Sequence, residues 1–141
     1  MTIQKSIHVN RPVEAAFRLF TADIGKWWPL KEGYSRSRER ADQIHLECRV
    51  GGRFYERYTD GEESVIGTVT VFAPPSRVVF TWSQSGWDAP TEVEVRFAAD
   101  GAGTRVELEH RGWERAGEAA QKMAKDYAGG WETVLARYAA A

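Results

Sequence analysis

The sequence predicts an α+β fold in which an antiparallel sheet curves around a long C-terminal helix. Three observations predict it: an alternating N-terminal segment followed by two short helical segments, a central stretch of repeated strand-and-turn patterns, and a final segment with helical spacing. The chain has 141 residues. This length allows one domain with a hydrophobic core, so we expect residues 1–141 to form a single domain.

The first elements follow from local patterns. Apolar residues alternate with polar ones over Thr2–Val9, which indicates a half-buried strand. Pro12 is tolerated in a first helical turn, and apolar residues at helical spacing then predict a short helix to about Thr21. A second brief helix is predicted over 22–28. It ends at Pro29, because proline disfavours helical geometry in the residue before it.

The central stretch predicts a six-stranded meander. Its strands are rich in β-branched and aromatic residues, and each is followed by glycine- or proline-containing turns. No connection is long enough for a parallel crossover, so every neighbouring pair is expected to be antiparallel. The predicted strands are Gln43–Arg49, Arg53–Thr59, Val65–Phe72, Arg77–Ser83, Thr91–Ala98 and Thr104–His110.

The C-terminal segment predicts one helix of about seven turns over Glu114–Ala139. Gly129 and Gly130 lie inside it, and each costs roughly 1 kcal/mol relative to alanine in an exposed helix. Two explanations stay open. The helix backbone approaches the sheet closely at this point, or the helix kinks beside a ligand opening.

Composition excludes several classes of protein. Nineteen Lys and Arg against twenty Asp and Glu give a net charge of −1, which provides no bulk attraction for nucleic acid. No apolar run approaches the roughly 20 residues of a membrane helix. The single cysteine, Cys48, has no internal disulfide partner, and no signal segment is present, so we expect a cytoplasmic protein. Aromatic residues make up 12% of the chain, enough to fill a core or to line a cavity.

The order of these features resembles a known superfamily over essentially the whole chain. The matching segments, each weak alone but specific in order and spacing, are Phe20-Thr21, Trp27-Trp28-Pro29, Arg49-Val50-Gly51-Gly52, Gly67, Pro74-Pro75, Val78 to Trp82, Gly103-Thr104, His110 to Trp113 and Gly130-Trp131. They are similar to the START-like, polyketide-cyclase and birch-allergen superfamily, and within it to the branch of the activator of heat-shock protein ATPase. The resemblance implies a helix-grip fold with an elongated, largely apolar cavity between the sheet and the last helix.

Strand alternation assigns side chains to the face that packs against this helix. In the last strand the charged residues alternate with apolar ones and His110, so His110 is expected to point inward. We expect the cavity to be lined by inward-facing strand residues, the tryptophans that converge with them, and the helix stripe. These candidate residues are Trp28, Phe54, Glu56, Tyr58, Phe80, Trp82, His110, Trp113, Met123, Tyr127 and Trp131.

Each polar candidate has a structural alternative. Glu56 is a cavity carboxylate if it shares the face of Phe54, but a bulge at the preceding double glycine would make it a solvated partner of Arg53 or Arg57. A buried His110 is more often a hydrogen-bonded core residue than a proton shuttle. The tryptophans equally fit a packed core. The inward tyrosines Tyr58 and Tyr127 are the remaining polar anchors.

Other chemistry finds no support in the residues. His45 and Cys48 point to opposite faces of their predicted strand, so no metal site is expected, and no cofactor is predicted. Cys48 is expected to point inward with Ile44 and Leu46, in an apolar setting that would make it unreactive. Arg36, Arg38 and Arg40 form a basic row in the segment 30–41, and a solvated loop explains them better than an acidic partner does. That loop is the expected gate of the cavity.

The leading hypothesis is therefore the binding of a small, mostly hydrophobic molecule between the sheet and the C-terminal helix. Two alternatives stay open. One is a chaperone-associated protein-interaction module, implied by the branch of the superfamily. The other is an enzyme of cyclase or hydrolase type with Glu56 or His110 as general base. The sequence does not decide the ligand or the oligomeric state.

Overall fold

The computed structural model describes all residues from Met1 to Ala141. It contains seven strands, three α-helices and two single-turn 3-10 helices. In chain order these are β1 (Ile3–Val9), α1 (Val13–Phe20), the 3-10 helices Ile24–Lys26 and Leu30–Glu32, β2 (Ala41–Leu46), β3 (Arg53–Tyr58), β4 (Glu63–Ala73), β5 (Arg77–Trp82), β6 (Thr91–Asp100), β7 (Gly103–Arg111), α2 (Trp113–Ala116) and α3 (Glu118–Ala140).

The strands form one antiparallel sheet in the order β1-β7-β6-β5-β4-β3-β2. β2 to β7 are a meander, and β1 joins it by pairing with β7 at the far edge. The helices pack on one face of this sheet: α1 contacts β6 and β7, and α3 contacts β1. The α+β helix-grip fold and the six-stranded meander predicted from the sequence are confirmed.

The N-terminal half differs from the prediction in three places. The second short helix is only a 3-10 turn, Ile24–Lys26, and the predicted loop contains another, Leu30–Glu32. β2 begins at Ala41 and ends at Leu46, earlier than predicted. Cys48 therefore lies beyond the strand end and is exposed, so its expected inward, apolar position is wrong. The chain turns there because the backbone N–H groups of Arg49 and Gly52 bond local carbonyls instead of continuing the ladder.

β4 contains an extra residue that matters for the site. Phe54 pairs with Gly67 and Tyr55 pairs with Val65, so Ile66 is unmatched on β4 while the alternation of β3 is undisturbed. Beside it, a Cβ on Gly67 would lie 1.6 Å from the carbonyl oxygen of Thr81. Only glycine permits this close passage of β4 over β5.

The C-terminal helical segment is broken where the sequence analysis did not expect it. Gly117 separates the single turn of α2 from α3, because its φ of +98° lies outside helical geometry. Glycine occupies this position because other residues rarely adopt a positive φ. By contrast, α3 runs unbroken through Gly129 and Gly130, so neither glycine interrupts the helix. A Cβ on Gly129 would meet open space, and one on Gly130 would touch only the ring of Tyr34. Close approach of the helix backbone to the sheet is therefore not the reason for either glycine.

The core is a cluster of 31 buried hydrophobic residues between the sheet and the helices. At the α1 end, aromatic rings fill the interior: Phe20 has its centroid 5.2 Å from Tyr138, and Trp27 lies 5.1 Å from the same ring. Phe17 and Phe97 close this group with centroids 5.2 Å apart. A recess of about 400 Å³ borders the outer side of this group at Phe17, between α1 and the turn that joins β4 to β5. The recesses that α3 helps to line lie at the opposite end of the sheet.

The outer face of the sheet is covered by ion pairs. Glu94 lies on this outer face but is only 7% exposed, because Arg77, Arg96 and Arg111 surround its carboxylate. Tyr55 is buried on the same face beneath the guanidinium of Arg53, 4.1 Å from its ring centroid. No helix of the structure combines the length and the apolar character needed to cross a bilayer.

Candidate functional site

The largest recess lies where the segment 28–36 crosses β3, β4 and β5 beside α3. Its volume is about 490 Å³, within the usual range of roughly 300 to 1,000 Å³ for small-molecule sites. We call it the first recess. It is lined by Trp28, Gly33, Tyr34, Ser35, Arg36, Glu56, Ile66, Trp82, Gln84, Ser85 and Tyr127.

A second recess of about 380 Å³ adjoins the first along α3. It adds Arg38, Met123, Asp126, Gly130, Trp131 and Val134 to five residues shared with the first recess, which are Trp28, Gly33, Tyr34, Gln84 and Tyr127. The side chain of Tyr127 and the Tyr34 segment thus stand between the two. Gly130 belongs to this wall, and a Cβ added there would lie 3.6 Å from the Tyr34 ring, an ordinary van der Waals contact.

Glu56 is a buried carboxylate in the wall of the first recess. The side chain points inward with Phe54 and Tyr58, because the extra residue falls on β4 rather than on β3. Its Oε1 accepts a hydrogen bond from the Ser35 hydroxyl at 2.5 Å, and its Oε2 accepts one from the Arg36 backbone N–H at 3.0 Å.

No cation pairs with Glu56. The neighbouring guanidinium groups of Arg53 and Arg57 instead bind Glu47 and Glu63 on the outer face. The alternative that Glu56 is a solvated ion-pair partner is therefore wrong. The result is a buried carboxylate whose charge is balanced only by hydrogen-bond donors, an arrangement enriched at functional sites.

Indole rings form the apolar walls of the site. Trp28 and Trp82 have centroids 6.3 Å apart with 33° between their planes, and Trp131 stands nearly perpendicular to Trp28 at 6.0 Å. Each indole N–H has a partner: that of Trp28 bonds the carbonyl of Tyr34 at 2.9 Å. This bond lies within the 28–36 segment and ties the Tyr34 backbone to the Trp28 ring.

Tyr127 projects from α3 to the place where the two recesses meet. Its hydroxyl oxygen accepts a hydrogen bond from the Trp82 indole N–H at 2.8 Å and another from the Gln84 side-chain amide. Burial raises the pKa of this phenol above its usual value, while the two hydrogen bonds act in the opposite direction. Tyr127 therefore stays a neutral phenol with a polarised oxygen.

His110 is fully buried, and its hydrogen bonds assign its protonation state. Its Nδ1 accepts from the Trp131 indole N–H at 3.0 Å, so that nitrogen carries no proton. Its Nε2 lies 2.7 Å from the Thr91 hydroxyl, which itself donates to the carbonyl of Trp82 at 3.0 Å. Nε2 must then carry the proton and donate a hydrogen bond to the Thr91 oxygen.

This arrangement makes His110 a positioning residue rather than a proton shuttle. Burial lowers its pKa to about 3, and both ring nitrogens are occupied by protein partners. Its ring joins β7 to α3 through the bond with Trp131. Through Thr91 of β6, which bonds the carbonyl of Trp82, it is also linked to β5. Neither recess includes it.

The predicted site residues therefore separate into two groups. Those that line a recess are Trp28, Glu56, Trp82, Met123, Tyr127 and Trp131. Those that the structure places in the wall behind it are Phe54, Tyr58, Phe80, His110 and Trp113, all buried. Phe54 and Phe80 pack against each other with centroids 5.0 Å apart, and Trp113 packs on His110 at 4.4 Å. These rings support the recess without facing it.

The segment expected to be a gate does cross the first recess. The Arg36 guanidinium donates to the carbonyls of Val65, at 3.2 Å, and of Ser83, and so spans the ends of β4 and β5. Arg38 borders the second recess. Arg40 instead lies over the Tyr58 ring and pairs with Asp60 and Glu62. The three arginines therefore do not form one basic edge.

Ser35, Arg36 and Gln84 are site residues that the sequence reasoning missed as such. All three lie in connecting segments, where no periodicity indicates the direction of a side chain. The sequence shows Arg36 only as part of a charged row. For Ser35 and Arg36 the one available signal is their place in the segment expected to cover the cavity, and Gln84, between β5 and β6, carries no such signal.

Comparisons with known proteins agree with this architecture. The family model described as "Activator of Hsp90 ATPase homolog 1-like protein" matches residues 10–141. No curated protein matches the sequence significantly.

Among solved structures, an anthrahydroquinone-γ-pyrone synthase, Txn09, is 37% identical, with a TM-score of 0.60 over 88% of this chain and 84% of its own. The self-sacrificing resistance protein CalC from Micromonospora echinospora is 27% identical, with a TM-score of 0.73 over 97% and 90%. An AHSA1-like protein from Aeromonas hydrophila is 25% identical, with a TM-score of 0.65 over 98% and 89%.

Proposed function

The chain belongs to the activator of Hsp90 ATPase homolog 1-like family, and from this premise we propose that it binds a small, mostly hydrophobic molecule in the first recess. The observation that carries the proposal is the recess itself: about 490 Å³ between Trp28, Trp82 and Tyr127, with one buried carboxylate, Glu56, in its wall. Apolar walls with a few placed polar groups are typical of ligand sites.

Removal of apolar area from water would drive binding at roughly 25 cal/mol per Å². The polar groups would then orient the ligand. Residues 33–36 would act as a lid, because their contacts with Glu56 and with the ends of β4 and β5 are hydrogen bonds that open while Trp28 and Leu30 stay in the core.

Titration with an apolar dye such as anilinonaphthalene sulfonate and with medium-chain fatty acids tests the proposal. We expect saturable quenching of tryptophan fluorescence, since Trp28 and Trp82 line the recess, and a rise in melting temperature with ligand concentration. Ser85→Trp, which places a large side chain among the residues that line the first recess, should weaken both effects. Binding unchanged in that variant, or a flat titration across a varied library, would contradict the proposal.

A second candidate function is ring-forming catalysis. Two observations favour it: the 37% identity to a γ-pyrone synthase, and Glu56 held without a cation in a recess that excludes much of the solvent. Glu56 would accept the proton of a substrate hydroxyl as general base. His110 would not serve, because its accessible lone pair is taken by Trp131.

The substrate of that synthase provides the assay for this candidate. We expect Glu56→Gln to lose turnover while still binding the substrate. His110→Gln should keep turnover under conditions in which circular dichroism shows that the variant is folded. No turnover by the wild-type chain would leave binding as the function. The chaperone-associated alternative stays a prediction carried by the family's name, and recovery of a chaperone with the purified protein would test it.

A further inference from the structure

Ser35 carries a hydroxyl that the fold holds against a buried carboxylate. Its Oγ donates to Glu56 Oε1 at 2.5 Å, within the range of about 2.5 to 2.7 Å for a hydroxyl on a carboxylate. The carbonyl of Ser37 lies farther from the same Oγ, at 3.3 Å, so Glu56 is the stronger acceptor. The Ser37 backbone N–H donates to Oγ at 3.1 Å, which leaves a lone pair of the hydroxyl oxygen without a partner in the protein.

Glu56 meets the geometric requirements of a general base for this hydroxyl. It lies within hydrogen-bond reach of the Ser35 proton, and the backbone N–H of Arg36 orients it by donating to Oε2 at 3.0 Å. A nucleophile, a base and a third group that orients the base are the arrangement by which proteins activate a serine. No guanidinium pairs with Glu56, because Arg53 and Arg57 bind other carboxylates on the outer face.

Donors for a developing negative charge line the same recess. The Arg36 guanidinium gives hydrogens to the carbonyls of Val65 and Ser83, and a guanidinium has further N–H hydrogens. The side-chain amide of Gln84 contacts only the Tyr127 hydroxyl. Whichever way that amide is turned, at least one of its N–H hydrogens has no partner in the protein. Arg36 and Gln84 both line the first recess, together with Ser35 and Glu56.

Closure of the lid assembles this group of residues. Ser35 and Arg36 belong to the lid, residues 33–36, whereas Glu56 belongs to β3 of the sheet. The hydroxyl therefore meets its base only when the lid lies on the recess. Closure at the same time removes bulk water from around the reacting atoms, as in other enzymes that complete their sites by closing a loop.

We propose that Ser35 is the nucleophile of a hydrolytic reaction on small apolar esters, with Glu56 as its general base. This inference rests on the proposed binding in the first recess and adds a chemical step to it. The Ser35 oxygen forms a bond to the ester carbonyl carbon while its proton passes to Glu56. The electron pair of the carbonyl moves to its oxygen, where Arg36 and Gln84 supply hydrogen bonds.

Collapse of this intermediate divides the ester. The bond between the carbonyl carbon and the alcohol oxygen breaks, the alcohol takes the proton from Glu56, and the acyl group stays on Ser35. Water then enters, gives a proton to Glu56 and attacks the acyl carbon. The Ser35 oxygen leaves and recovers that proton. Ester and water are thus converted into acid and alcohol, with no change of oxidation state.

Two measurements on the wild-type chain test the step. p-Nitrophenyl acetate, butyrate and octanoate are the substrates, and the release of p-nitrophenol is followed by absorbance. An alkyl fluorophosphonate, which reacts with activated serines by losing fluoride, is the covalent probe. We expect hydrolysis of at least one ester and a single phosphonate group, located on Ser35 by peptide mass spectrometry. Neither measurement depends on the folding of a variant.

Variants assign the roles. Ser35→Ala should lose the phosphonate label, and Ser35→Ala and Glu56→Gln should each lower kcat/KM about 100-fold or more, the lower end of the usual contribution of a general base. Both should still bind the apolar dye. Ser76→Ala is the control, because it removes a serine hydroxyl that bonds the carbonyl of Ala73 outside both recesses. It should keep the wild-type rate and the label.

The outcomes distinguish the inference from the function on which it rests. If the wild-type chain binds the dye but hydrolyses none of the esters, the inference is overturned and binding stands. Hydrolysis at the wild-type rate by Ser35→Ala, or a phosphonate on another residue, overturns the assigned nucleophile. A wild-type rate in Glu56→Gln overturns the assigned base. A flat dye titration together with no hydrolysis overturns both the inference and the proposed binding.

Discussion

Acid should destabilise this protein well above the pH at which its carboxylates titrate, because of His110. In the folded state this side chain is neutral, with its pKa lowered to about 3 by burial. In the unfolded chain a histidine titrates near 6.5. Below that pH the unfolded state binds a proton that the folded state does not, so the free energy of unfolding falls as the pH falls.

The magnitude follows from the two values. Integration from pH 7.5 to pH 5 gives a loss of about 2 kcal/mol, with a slope that approaches one proton, about 1.4 kcal/mol per pH unit. The full effect of about 5 kcal/mol is reached only near pH 3. The rings that face His110 are Trp82, Trp113, Tyr127 and Trp131, and only Tyr127 among them is ionisable, with its pKa raised by burial.

The carboxylates do not obscure this range. Burial opposes the ionisation of Glu94, but hydrogen bonds from Arg111 and Arg77 outweigh it and lower its pKa to about 2. A group of this kind contributes stability that is fully present above its unfolded pKa and is lost progressively as the pH falls from about 5 toward 2, almost entirely below the range tested here.

Urea unfolding at several pH values, followed by circular dichroism, measures the slope. His110→Gln should lower the stability at pH 7.5, because Thr91 and Trp131 lose a well-placed partner, and should flatten the dependence between pH 7.5 and 5. His8→Gln, at an exposed histidine, should keep the wild-type slope. A free energy of unfolding that does not change over this pH range would refute the conclusion that His110 is neutral in the folded protein. A pH dependence that persists in His110→Gln would show that another group causes it.

Two further predictions concern the last helix and the lid. Gly129→Ala should stabilise the protein by about 1 kcal/mol, because the added Cβ meets open space inside α3. Gly117→Ala should destabilise it by about 1 to 3 kcal/mol, because φ is +98° and Asp88 lies 2.4 Å from the new Cβ. Thermal unfolding of the two variants measures both changes, and changes of the same sign would contradict the assigned helix break. Arg36→Ala should raise amide hydrogen exchange in residues 33–37 about threefold or more without changing global stability, since only the bonds to Val65 and Ser83 are lost. Arg38→Ala, which loses no hydrogen bond within the protein, is the control. Equal hydrogen exchange in the two variants would show that the Arg36 side-chain hydrogen bonds do not hold this segment in place.

The sequence by itself determined the kinds of elements and the facing of their side chains. A short turn joins β6 to β7, and the segment 83–90 joins β5 to β6. The period of two in a pleated strand then leaves one register that buries Val78, Val93 and Val106 on the same face. The same period placed His110 inward, but it left the facing of Glu56 open, because a bulge at the preceding double glycine would have reversed it. These are local consequences of backbone geometry, so they can be predicted from the sequence without knowledge of the rest of the molecule.

Tertiary structure decided what those inward side chains meet. Whether an inward aromatic fills the core or lines a recess depends on elements far away in the chain, and alternation along one strand holds no information about them. Glu56 meets Ser35 and Arg36, about 20 residues earlier, and Tyr127 meets Trp82 across the interior. The placement of the helix break at Gly117 rather than at Gly129 likewise follows from the local packing around Asp88.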